Sequence, residues 1–94
     1  MLFRSAAKAA YAAERLTAIV GVELLHPDRP FFKEFALRLP RDAASVRDEL
    51  VARGYLAGVP IGDAGGRALL VAVTERRTRA EIDGLAAAMG ETLA

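Results

Sequence analysis

Few residues in this chain are of the types that do chemistry. Glu34 and Glu75 could act as an acid–base pair, since proton transfer to and from a reacting atom uses two carboxylates with separated pKa values. Nothing in their spacing requires the pairing. Lys8 and Lys33 are the only lysines, and an amine that holds a cofactor covalently needs a pocket that lowers its pKa. Lys8 falls on an exposed helix side and Lys33 near a strand start, and neither has visible support. The loop GVPIGDAGGR has glycines that could let amides converge on an anion. No Gly-Lys-Ser/Thr opens a helix after it and it lacks the dinucleotide fingerprint, so a plain crossover is preferred. His26 is the single histidine; it precedes a proline in a loop and cannot make a His-rich metal site alone. The run TERR, residues 74–77, is either a solvated strand end or a set reaching into a site, and charge runs usually face water. No nucleophile–base–orienter set can be assembled, so no catalytic residue and no metal ligand is assigned.

The bulk properties narrow the classes further. Ninety-four residues suggest one small domain, or a piece of a larger one. A net charge of +1 gives no electrostatic case for nucleic acid or an anionic membrane. The absence of cysteine removes disulfides, a thiolate nucleophile and a Cys-based zinc site. No apolar run approaches the roughly 20 residues that span a bilayer, and MLFRSAAKAAYAAERL has charges where a signal peptide is apolar. The expected compartment is the cytoplasm.

Positioning any site falls to a short series of elements. Residues 5–20 read as a helix, with Ser5 as N-cap, Gly21 as terminator and Ala9, Ala12, Ala13, Leu16, Ile19 and Val20 on one stripe. A strand over 22–25 and the Pro-rich turn HPDRP lead into FFKEFALRLP. There Phe35, Leu37 and Leu39 share one face and Glu34, Ala36 and Arg38 the other. Asp42 can cap a helix over 43–53, with Val46 and Leu50 inward and Gly54 at its end. YLAGVPIGDAGG reads as a loop. A central strand over 68–73 is apolar on both faces, with Leu69, Val71 and Val73 on the larger and Ala68, Leu70 and Ala72 on the smaller. The smaller face would let another layer, from another domain or subunit, approach closely. A last helix over 79–93 opens with the capping box Thr78-Arg79-Ala80-Glu81 and turns Ile82, Leu85, Ala86, Met89 and Leu93 inward. The expected order is α-β-β-α-β-α: a single α+β domain over 1–94, with a small, mostly antiparallel three-stranded sheet and helices on one face.

Four strings, in order, resemble a known family. KAAYAAERLTAIVGVELL, RPFFKEFALRLP, LVARGYLAGVPIG and ALLVAVTERRTRAEIDGLAAAM are similar to the C-terminal end of the glycine cleavage system P-protein, more narrowly to glycine dehydrogenase (decarboxylating) subunit 1. The matching positions are Tyr11, Leu16, Gly21 and Val22; then Phe32, Glu34 and Phe35; then Arg53, Gly54, Gly58, Pro60 and Gly62. In the last string they are Leu69, Leu70, Val71, Thr74, Glu75, Arg77, Thr78, Glu81, Ile82 and Asp83. Two departures stand out: Lys33 replaces the family's usual asparagine, and DAGGR is shorter than the family's acidic stretch at that place.

The resemblance implies the C-terminal small domain of a fold type I, aminotransferase-like pyridoxal-phosphate enzyme. It implies a complex that decarboxylates glycine and passes the aminomethyl group to the lipoyl arm of the H-protein. The Schiff-base lysine is expected on the cofactor-bearing subunit 2 and not here, so this segment binds no cofactor alone and contributes shape and contacts. Its expected partners are the remainder of subunit 1, subunit 2 and the H-protein. Glu34, Phe35, Gly54, Gly58, Pro60, Gly62, Thr74, Glu75 and Arg77 are carried as family-motif positions. Met1 to Ser5 is unlike the family, and the chain is expected to be a truncated reading frame of a longer subunit. Two rival readings stand beside this one: the small domain of another enzyme of the same superfamily, or a free-standing α+β module that binds a ligand or partner.

Overall fold

The computed structural model describes residues 2–27, 34–56, 58–73 and 77–94, and the side chains of these apart from 2–6 and 63. Helix α1 (Leu2–Thr17) buries Ala9, Ala12, Ala13 and Leu16 as the expected stripe. It starts and stops earlier than the 5–20 spacing predicts, so Ser5 lies inside it rather than at its cap. The Thr17 hydroxyl donates to the Ala13 carbonyl at 2.7 Å, and the chain turns through Gly21 at φ +89°. Val20, expected inward, falls in that turn and is 94% exposed.

Strands β1 (Glu23–Leu24) and β2 (Glu34–Arg38) pair antiparallel, with Glu23 opposite Arg38 and Leu24 opposite Leu37. Alternation in β2 is as its sequence dictates: Phe35 and Leu37 are buried, and Glu34 and Arg38 are exposed. In helix α2 (Ala43–Ala52) the Asp42 carboxylate accepts from the Ser45 amide at 3.1 Å, and Val46 and Leu50 are fully buried. Gly54 closes the helix at φ +93°, a left-handed conformation that side chains resist.

The stretch expected to be a loop contains a further strand. Strand β3 (Val59–Ile61) and a short 3-10 turn (Asp63–Gly66) precede strand β4 (Ala68–Ala72). The sheet therefore has four strands rather than three, in the order β1-β2-β4-β3, and every pairing is antiparallel. The expected α+β class holds, with β4 in the interior of the sheet. Glycines on both sides of Pro60 read as breakers. They conceal a strand because β3 lies at the edge, where a proline disturbs no ladder on its outer side.

Helix α3 (Arg79–Leu93) begins at the expected capping box. The Thr78 hydroxyl accepts from the Glu81 amide at 3.1 Å, while the Glu81 carboxylate accepts from the Thr78 amide at 2.9 Å. Such a cap contributes about 1 kcal/mol. Leu69, Val71 and Val73 join Phe35, Leu37 and Leu39, the buried faces of α1 and α2, and Ile82, Ala86 and Met89 of α3 in one core.

Two details set close tolerances. A Cβ on Gly58 would run into the carbonyl oxygen of Leu70, so only glycine lets this backbone approach β4. Gly62 differs: its φ is −70° and a Cβ there would meet nothing, so no local demand explains it. Among the described side chains, the Thr92 hydroxyl is buried without a hydrogen-bond partner.

Gly58→Ala is expected to cost about 1–3 kcal/mol in denaturant unfolding, as overpacking against backbone does. Gly62→Ala is expected to stay within about 0.5 kcal/mol of the parent. Thr92→Val, which keeps the shape and removes the unpaired hydroxyl, is expected to raise stability by about 1 kcal/mol in the same measurement.

Candidate functional site

An open cavity of about 210 Å³ lies where the end of β4 meets the start of α3. Its floor is apolar: Ala12 of α1, Val71 of β4 and Val73 just after it, and Ile82 and Leu85 of α3. Gly54, Tyr55 and Leu56 form one wall, and Arg77 and Glu81 supply the charges. The left-handed turn at Gly54 carries the chain back so that the Tyr55 amide donates to the Leu50 carbonyl at 2.9 Å. Gly84 makes room for the Tyr55 ring, since a Cβ there would lie 2.6 Å from its hydroxyl oxygen.

The two charges are already engaged. Arg77 donates to Glu81 at 3.4 Å, one helical turn away. The Thr78 amide, then the Thr78 hydroxyl, and then Arg77 hold the Glu81 carboxyl below its ordinary pKa. A carboxylate stabilised in this way caps a helix and is a poor proton donor. Among the described residues the lining has no lysine, histidine, serine or cysteine. It suits an apolar side chain far better than a reacting substrate.

A second polar cluster ties α1 to α3. The Tyr11 hydroxyl donates to Asp83 at 2.5 Å, and Arg15 Nε donates to the same carboxylate oxygen at 3.1 Å. The Arg79 guanidinium lies 5.0 Å from the centre of the Tyr11 ring. The Tyr11 hydrogen bond, followed by the charge of Arg15, depresses the Asp83 pKa; the same hydrogen bond raises that of Tyr11. Each group is partnered within the cluster, which acts as a latch between two helices.

The motif positions scatter accordingly. Gly54 and Arg77 meet at the cavity. Phe35 is buried in the core, Gly58 packs on Leu70, Pro60 sits in the edge strand, and Gly62 opens the 3-10 turn. Glu34 is exposed opposite Ala72. Thr74 and Glu75 lie outside the described residues, as does Lys33. The question whether Glu34 and Glu75 pair therefore also lies outside them. Arg77 belongs to the start of α3 through its pairing with Glu81. His26 is exposed and Lys8 is half-buried. Among the described residues no three His, Cys, Asp or Glu side chains cluster as a metal site would require. Sequence reasoning missed the Tyr55–Gly84 contact. Its signal was a glycine inside a strongly capped helix, a position that usually has a packing reason.

No protein-family model matches the chain. It is 51% identical over 89 residues to a protein of Nitratidesulfovibrio vulgaris (strain DP4) named "Probable glycine dehydrogenase (decarboxylating) subunit 1". The match covers 92% of this chain and 20% of that protein. A protein of the same name from Rhodospirillum centenum is 48% identical over 93 residues, covering 93% of this chain and 20% of the relative. The fold matches a crystal structure of glycine decarboxylase (P-protein) of the glycine cleavage system, in inhibitor-bound form, with a TM-score of 0.90 and 33% identity. That match covers 98% of this chain and 21% of the P-protein chain.

Protonating Asp83 breaks the latch. A depressed carboxyl pKa stabilises the fold above its unfolded value, and that contribution is lost as pH falls through the folded one. The raised Tyr11 pKa gives a contribution present below the unfolded tyrosine value and lost as pH rises through the folded one. Melting temperature against pH is therefore expected to fall at both ends, and Tyr11→Phe is expected to weaken both limbs. An unchanged profile in the variant would remove the latch from the account.

By sequence and by fold, this chain, which spans about one fifth of the length of the relatives it matches, is a relative of the glycine dehydrogenase (decarboxylating) subunit 1 proteins along nearly its whole length.

Proposed function

We propose that the chain is the C-terminal small-domain portion of a glycine dehydrogenase (decarboxylating) subunit 1, working in the cytoplasm within the glycine cleavage system. The observation that carries the reading is the 51% identity spread over 92% of the chain, too high and too continuous for a shared fold alone. It favours this family over other enzymes of the same superfamily. The complex would release carbon dioxide from glycine and transfer the aminomethyl group to the lipoyl arm of the H-protein.

Within that complex the segment is structural. Pyridoxal phosphate would supply the electron sink for decarboxylation, but the described residues do not fit it. Among the described residues the cavity lining carries no lysine, and the one cation among them, Arg77, is paired with Glu81. The cofactor-holding lysine is assigned to subunit 2. This chain supplies a scaffold: the capped start of α3, the Tyr55 wall and the end of β4 together line the cavity.

A chimera tests the reading. The matched segment of the Nitratidesulfovibrio vulgaris subunit 1 is exchanged for this chain and combined with subunit 2 and H-protein. Glycine-dependent release of carbon dioxide is expected within about tenfold of the parent, a loss of less than about 1.4 kcal/mol of transition-state stabilisation. A folded, assembled chimera with background activity would overturn the assignment.

A further inference from the structure

No further inference is drawn: the strongest candidate, the open cavity between the end of β4 and the start of α3, belongs to the site already described, and nothing in the structure shows what covers its apolar floor.

Discussion

Strand β4 is apolar on both faces and lies inside the sheet, so it must be covered twice. Leu69, Val71 and Val73 are met by the three helices, and this burial is the core of the chain. Each Å² of apolar surface that this strand and its cover remove from water contributes about 25 cal/mol. Pairing on both edges depends on the same strand. β2 lies on one side, and β3 approaches the other closely enough that Gly58 has no room for a side chain. The second apolar face, around Leu70, is the demand that the helices of this chain leave open.

The polar residues serve architecture. Asp42 and Thr78 cap helices, Glu81 completes the second cap and takes Arg77, and Asp83 receives both Tyr11 and Arg15. Each of these groups is held by a partner, local for the caps and across two helices for Asp83, and the two depressed carboxyl pKa values follow from those hydrogen bonds. A site for proton transfer needs the opposite, a carboxyl pushed toward neutral pH by burial or a like charge. The described carboxylates with depressed pKa values serve a helix cap and an inter-helix tie.

Much of this was legible in the residues because local rules acted alone. The capping box at Thr78, the cap at Asp42 and the alternation of Phe35, Leu37 and Leu39 depend on neighbours within four positions, and each formed as read. The failures share a different cause. Val20 fits the helical stripe, yet the helix ends at Thr17 and the turn through Gly21, packed on Pro40, carries it outward. Val59 to Ile61 looks like a broken loop, yet it pairs with β4 because an edge position tolerates Pro60. The cavity escaped notice because it joins Gly54 and Tyr55 to Arg77 and Glu81, which lie more than twenty residues further along the chain.

The sequence by itself determined the α+β class, the starts of α2 and α3, the inward face of the long elements apart from Val20 and, through four ordered strings, the family. Those features rest on spacing, capping and composition, which are properties of short segments. Only the tertiary structure decided that β3 exists, that Gly58 must be glycine and Gly62 need not be, and that Tyr55 meets Gly84. It also decided that one face of the sheet remains apolar and open. Each of these depends on which strands become neighbours, and that is set by long-range pairing across β4 rather than by any one stretch of residues.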